Sequence, residues 1–333
     1  MIVHTHRVTE ELVAAARRAY GWSARAVATR GPRGALGQIW RVDDGPTRYA
    51  LKEIFAAPPT AEQVAVELTY TRRAAEAGVR LPASLPDREG RHVVPTPGGT
   101  WLRLYDWVDV RPLDLTAQST PHAVGVLLAR LHRCAPATAV EAGGAPPDAW
   151  YHQVPTAHAW DRVPAVGTAW AARLADRLAS LPDLTREVTR VVSGRLVVCH
   201  RDLHPGNVLA EPTGDLVVVD WDSLGPAAPE RELARALFDW CCDGPDADFA
   251  GMRRMYEAYL RHGGPGRIVA PADFSMLVAS RLNFLLRQLH VAVDPATEGR
   301  HREWAEQEID EALRILPTPE HLAAVLELAA SVR

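Results

Sequence analysis

The run from Val198 to Asp222 reads VCHRDLHPGNVLAEPTGDLVVVDWD, so that Asp202 precedes Asn207 by five positions and Asp220 closes an apolar stretch. Residues of these types in this order suit one chemistry. A carboxylate can meet the hydroxyl that attacks a nucleoside triphosphate, while an amide oxygen and a second carboxylate hold the Mg²⁺ that bridges its phosphates. His200, Arg201, Asp202 and Asn207 fit the H-R-D-x-x-x-x-N pattern residue for residue. Asp222 lies two positions beyond Asp220, where strand alternation would return it to the same side. Singly, each residue has a structural reading: a salt-bridged turn, a turn asparagine, a polar strand end. Four in order with strand-like segments around them point to phosphoryl transfer.

The cations add to the pattern. Of 37 basic residues one is a lysine, Lys52, and the rest are arginines, as in a GC-rich coding background. A slim ammonium sits between phosphates as a point charge where a broad planar guanidinium does not. Lys52 lies in the alternating segment Tyr49–Ile54, at the lysine of a V-A-I-K pattern, and is expected to pair nucleotide phosphates. Thr60-Ala-Glu-Gln63 has the form of a capping box and predicts a helix running to Gly78. Glu67 borders the apolar face of that helix and is expected to orient Lys52, with Glu62 and Glu76 facing solvent.

These groups need elements to hold them. Leu196–His200 reads as a short buried strand, and His200–Asn207 as a loop closed by Pro205-Gly206. The residues from Val208 and from Leu216 to Val219 read as strands flanking the turn Pro212–Asp215. Gly31, Gly34 and Gly37 mark a hairpin placed to cover phosphates, with Gly37 taken as a nucleotide-binding position; it is no Walker A loop. Trp101–Val108 reads as a strand, and the backbone of Tyr105, Trp107 and Val108 is expected to meet the nucleotide base. Beyond it the sequence predicts mainly helices: Ala123–Arg133, Thr168–Ser180, Glu232–Asp243, Asp248–Arg261, Ala272–His290, Arg300–Leu316 and Pro319–Ser331, after an earlier one at about Thr9–Tyr20. Gly143–Pro147 reads as an exposed loop.

HRDLHPGNVL followed by VVVDWD closely resembles the aminoglycoside phosphotransferase and choline kinase-like family, relatives of the protein kinases. Leu127-Leu128-Ala-Arg-Leu131-His132 resembles the first large helix of that family's C-terminal lobe. The resemblance implies an α+β, two-lobed protein kinase-like fold, with a nucleotide-binding lobe over 1–107 and a catalytic and acceptor-binding lobe over 108–333. It also implies ATP or GTP and Mg²⁺ as partners in an O-phosphotransfer to a hydroxylated small molecule. Asp220-Trp221-Asp222 stands where protein kinases have D-F-G, and no A-P-E follows, which favours a small acceptor over a protein. Where the family has D-L-A this chain has Glu232-Leu-Ala. Asp222, His204 and Asp239 are the further candidates for binding the acceptor or supporting the loop. Asp239, with Asp243, Asp246 and Asp248, forms either an acidic lure for a cationic aminoglycoside or a solvated helix junction. Trp240, Phe274, Phe284 and Trp304 are either pocket walls or core.

Several classes are excluded or disfavoured. Net charge is −4 with no basic stripe, so nucleic acid is not an expected partner. No apolar run reaches membrane-spanning length, the N-terminus shows no signal core, and the four cysteines lack C-x-x-C spacing. A reducing cytoplasm is the expected location. Three readings stay open: a kinase of an antibiotic or related secondary metabolite, a kinase of a primary metabolite such as choline, homoserine or a sugar, and an inactive kinase-shaped binding protein.

Overall fold

Alternation along three consecutive strands builds the early part of the chain. The computed structural model describes residues 2–33, 37–55, 57–136, 148–163, 167–190, 196–244 and 246–332. In it Val27–Arg33 (β1), Gly37–Asp44 (β2) and Thr47–Ile54 (β3) form an antiparallel meander. β3 pairs in turn with Trp101–Asp106 (β6), which also takes the short strands Ser84–Leu85 (β4) and Val94–Pro95 (β5). One face carries Trp40, Val42, Leu51, Leu102 and Leu104, packed on Leu12, Val13 and Ala16 of the helix Ile2–Tyr20 (α1). Period-two alternation then sends Lys52 and Arg103, which are register partners, to the other face. The helix Ala61–Glu76 (α2) begins at Thr60 with both bonds of the expected capping box and buries Val64, Glu67, Tyr70 and Ala74.

The chain separates into two compact units, Met1–Pro112 with Val208–Asp222 and Leu113–Asn207 with Ser223–Arg333. The sequence placed all of 108–333 in one domain, whereas residues 208–222 group with the first unit. The cause is pairing. Val208–Ala210 (β9) and Leu216–Val218 (β10) form an antiparallel hairpin, and β9 adds Arg111–Pro112 (β7) on its other edge. Val218 N–H donates to the Arg80 carbonyl at 2.9 Å, which ties the hairpin's end to the segment after α2.

The second unit is mainly helical, in keeping with the expected α+β division. Its helices are Ser119–Cys134 (α3), Ala157–Asp161 (α4), Ala171–Thr185 (α5), Pro229–Cys241 (α6), Phe249–Arg261 (α7), Ser275–Val293 (α8), Gly299–Ile315 (α9) and Pro319–Ser331 (α10). A two-stranded ladder joins Val197–Cys199 (β8) to Gly225–Ala227 (β11). α3 and α7 pack so closely that a Cβ at Gly125 would stand 2.2 Å from the Met255 carbonyl oxygen, which accounts for glycine there. α8 is the spine, its Leu282, Leu285 and Leu289 packing with Leu174 of α5 and Ile309 of α9. α6 ends at Cys241 rather than Asp243, because Cys242 and Asp243 turn into a small hairpin with Asp246 and Ala247. The loop expected at Gly143–Pro147 lies outside the described residues. Among those described, no helix is long and apolar enough to cross a membrane.

Candidate functional site

In the first unit the charged groups meet on the face opposite α1. Lys52 Nζ donates to Asp220 Oδ1 at 2.8 Å and to Asp222 Oδ2 at 2.7 Å. Burial would lower the lysine's pKa, but Asp222 and Asp220 more than offset it, so the ammonium stays charged. Glu67 does not take the role expected of it. Its carboxylate is held in a two-pronged pair by Arg103, Nη1 to Oε2 at 2.7 Å and Nη2 to Oε1 at 2.8 Å. The physical reason is that a guanidinium matches both carboxylate oxygens at once, and Arg103 lies beside Lys52 in the ladder. Burial raises the Glu67 pKa, with Arg103 acting in the opposite sense. Arg103 Nη1 also lies 3.6 Å from Asp222 Oδ1.

The D-W-D step owes its geometry to a turn rather than to strand alternation. β10 ends at Val218, Asp220 adopts the left-handed φ of 56°, and Trp221–Ser223 form a single 3-10 turn. Trp221 is buried edge-on against Tyr70 of α2, ring centroids 5.4 Å apart, and its Nε1–H donates to the Val218 carbonyl. That anchor leaves Asp220 and Asp222 on the Lys52 side, as the sequence led us to expect by another route. The cluster holds three carboxylates against two cations. Such a surplus of hard oxygen donors fits a small divalent cation.

Of the nucleotide candidates, Gly37 has a packing reason to be glycine: a Cβ would stand 2.4 Å from the Glu53 carbonyl oxygen on β3. Gly34 lies outside the described residues. Tyr105 sits on β6 under the Arg103 guanidinium, 5.3 Å from ring centroid to cation, and burial drives its phenol pKa well up. Trp107 and Val108 follow the end of β6. Trp107 Nε1–H donates to Asp109, which Arg48 grips with two bonds of 2.8 and 2.7 Å.

In the second unit the loop after β8 is templated by α6. Arg201 has a left-handed φ of 63°, and its N–H donates to Glu232 Oε1 while its carbonyl accepts from Arg235. The Leu203 carbonyl accepts from Trp240 Nε1 at 2.7 Å. Positions 232, 235, 239 and 240 recur at helical spacing, so one face of α6 grips three backbone groups around Asp202. The Arg201 side chain bonds the Ser223 and Leu224 carbonyls and lies 4.3 Å over the Tyr151 ring. Asp202 Oδ1 accepts from Arg235 Nη2 at 2.6 Å. Asn207 turns its amide nitrogen to the Asp202 carbonyl at 2.9 Å, to His204 Nε2 at 3.2 Å and to Asp202 Oδ2 at 3.3 Å, so its amide oxygen takes none of these bonds. His204 closes the loop, its Nδ1 accepting from Gly206 N–H at 3.1 Å and its Nε2 lying 3.8 Å from Asp202 Oδ2.

Asp239 is not available as a lure. It is buried between Arg235 Nε at 3.1 Å and Arg281 Nη2 at 2.7 Å. Burial would raise its pKa, but the two arginines hold the carboxyl below its ordinary value. Asp243 pairs with Arg314, and Asp248 caps α7 through Gly251 N–H. Asp239, Asp243 and Asp248 are thus each held by their own partners, and Asp246 lies across the small hairpin from Asp243. Trp240 and Phe274 are buried, Phe274 edge-on to Phe238.

His132, Cys199 and Glu232 lie close enough to resemble a metal-ligand set. Their polar atoms already serve one another. His132 Nε2 meets Glu232 Oε2 at 2.6 Å, its Nδ1 meets the Tyr259 hydroxyl at 2.7 Å, and Tyr259 accepts from Gly266 N–H. Burial raises the Cys199 pKa well above the ordinary thiol value, so the sulfur stays protonated. The group is a brace for Arg201 through Glu232. Sequence reasoning missed Arg235, Arg281 and this brace; the only signal was the basic and acidic spacing along Glu232–Asp239.

Comparison with known proteins decides the family. The model of the phosphotransferase enzyme family matches residues 27–269. The chain belongs to that family. It is accordingly a phosphotransferase enzyme, and the resemblance to the aminoglycoside phosphotransferase family holds. No curated protein matches by sequence. Among solved structures, a spectinomycin phosphotransferase in complex with ADP and spectinomycin is 15% identical with TM-score 0.64, covering 94% of this chain and 98% of that one. A microcompartment-associated aminopropanol kinase is 19% identical with TM-score 0.61, covering 95% and 98%. An amicoumacin kinase in complex with AMP-PNP, Ca²⁺ and Ami is 14% identical with TM-score 0.58, covering 93% and 95%. At these identities the likeness establishes the fold, the α+β protein kinase-like one expected.

Proposed function

We propose that this phosphotransferase moves the γ-phosphoryl group of ATP or GTP to a hydroxyl of an antibiotic or related secondary metabolite, as resistance or self-protection. One observation carries the chemistry: Asp202 Oδ1 is bound to Arg235 at 2.6 Å, while Oδ2 has the longer contact, 3.3 Å, to the amide nitrogen of the neighbouring Asn207. In the proposed step the acceptor oxygen forms a bond to the γ-phosphorus as the bridge to the β-phosphate breaks. The hydroxyl proton passes to Asp202 late, since a loose transition state asks little of the base. Lys52 meets the α- and β-phosphates, and the backbone near Tyr105, Trp107 and Val108 meets the base. Gly37 belongs to the hairpin over the phosphates. Asn207 and Asp220 would hold Mg²⁺, with Asp222 in support; when bound, the ion neutralises phosphate charge. His204 borders the acceptor.

The antibiotic reading draws on spectinomycin and amicoumacin as acceptors of the structural relatives. The aminopropanol kinase supports a second reading, a small primary metabolite as acceptor. Burial of Asp239 between arginines removes the argument for a polycation. A nucleotide-consumption screen over hydroxylated compounds, run with ATP and with GTP, separates the readings. Asp202→Asn serves as the control and should lose about 10²–10⁴ in kcat with little change in nucleotide affinity. Near-normal kcat in that variant would reduce Asp202 to a turn residue and end the proposal.

A further inference from the structure

We infer that Arg235, braced by Asp239 and Arg281, is a positioning residue that selects which oxygen of Asp202 meets the acceptor hydroxyl. The inference rests on the proposed role of Asp202. Arg235 uses each of its nitrogens for a different partner: Nη2 to Asp202 Oδ1 at 2.6 Å, Nη1 to the Arg201 carbonyl, and Nε to Asp239 Oδ2 at 3.1 Å. Asp239 Oδ1 accepts from Arg281 Nη2 at 2.7 Å, and Arg281 Nη1 bonds the Ile315 carbonyl at the end of α9. Signs therefore alternate from the loop, through α6, to α8. The inner members are shielded, with side-chain exposures of 14% for Arg235, 10% for Asp239 and 8% for Arg281, against 32% for Asp202. A ladder this buried and pairwise neutral is rigid, and only its last carboxylate opens outward.

The consequence falls on the two oxygens. A free aspartate rotates about Cα–Cβ and can exchange its oxygens by a half-turn of the carboxylate. Here one guanidinium grips both the carbonyl before Asp202 and the Oδ1 of its side chain, so both rotations are blocked. Among the described residues Oδ2 has only the longer contact to Asn207 Nδ2 at 3.3 Å and lies 3.8 Å from His204 Nε2, so it is the oxygen presented to an acceptor. A lysine at 235 would have one nitrogen for three partners, which is why arginine is required. Arg235 thus acts through Asp202 and touches no reacting atom.

The test uses the full chain with Mg²⁺ and γ-labelled ATP, water serving as the acceptor, so that no unidentified ligand is needed. Single-turnover phosphate release is read beside the Kd for AMP-PNP and the Tm. A misplacement of about 1 Å can cost about 10²-fold, so Arg235→Lys should slow release by about 10–100-fold. The Kd should stay within about threefold, since the residue holds no nucleotide contact. In the Asp202→Asn background the same change should have no further effect, because a residue acting only through Asp202 is silent without it. Asp239→Asn leaves Arg235 in place and loosens one contact. It should give a smaller loss, again absent in the Asp202→Asn background, and it carries the test if Arg235→Lys fails to fold. A normal rate in Arg235→Lys, or a loss that persists in full beside Asp202→Asn, would overturn the inference. Normal release in Asp202→Asn alone would instead strike the underlying assignment of Asp202, and the two failures are distinguishable.

Discussion

A lysine donates from a single nitrogen, and Lys52 directs that nitrogen to two carboxylates, Asp220 and Asp222, while the neighbouring Arg103 spreads its fork across Glu67. The division follows side-chain shape: the compact ammonium can leave carboxylates for phosphates by a small movement, and the fork is committed to Glu67. An arginine at 52 would bring a second broad group beside Arg103 on the same face. Lys52→Arg should therefore lose about 10²–10³ in kcat, the usual cost of one misplaced electrostatic donor, with an unchanged Tm. Steady-state kinetics check it, and full activity would mean that a point charge is not needed there.

At the scale of elements α6 is decisive, since Glu232, Arg235 and Trp240 from one face fix three backbone groups of the Asp202 loop. Two of its carboxyls have lowered pKa values. For Glu232 burial alone would raise it, but His132 and the Arg201 N–H more than offset this; for Asp239 the arginines do the same. A carboxyl whose folded pKa is depressed binds fewer protons in the folded than in the unfolded state. Its stabilisation is complete above the ordinary carboxylate pKa, about 4, and is lost as pH falls through the folded value. Asp239→Asn should lower Tm at neutral pH and flatten the fall of Tm on the acid side. Thermal melts from neutral pH to about pH 3 measure this, and an acid limb as steep as that of the unsubstituted chain would contradict it.

At the scale of the whole molecule, Lys52, Asp220 and Asp222 belong to one compact unit and Asp202 and Asn207 to the other. If nucleotide and metal bind the folded chain as the proposed reaction requires, they should stabilise it by mass action, by about 2.7 kcal/mol at a hundredfold excess over Kd. AMP-PNP with Mg²⁺ should raise Tm, and removing the metal with EDTA should take back most of the rise. In Asp220→Ala the Mg²⁺-dependent part should vanish. An undiminished metal dependence in that variant would remove Asp220 from the proposed ligand set.

Local pattern determined much about this protein. The order of His200, Arg201, Asp202, Asn207 and Asp220, together with short strands bounded by turns, announced the chemistry, because such spacing is set by backbone geometry within a single loop and hairpin. Helical periodicity likewise marked Pro319–Ser331 to the residue and α7 to within one position. Tertiary structure decided the rest. Glu67 was expected at Lys52, yet Arg103, 36 positions away in sequence, claimed it, because strand register set the two cations side by side. Asp239 was read as an acceptor-binding or supporting residue in an acidic lure or a solvated helix junction, and α8 brought Arg281 to it from 42 positions away. Residues 208–222 changed units because β7 offered an edge to pair. In each case the deciding partner is remote in the chain, and no local periodicity carries information about which distant charge or strand edge will arrive first.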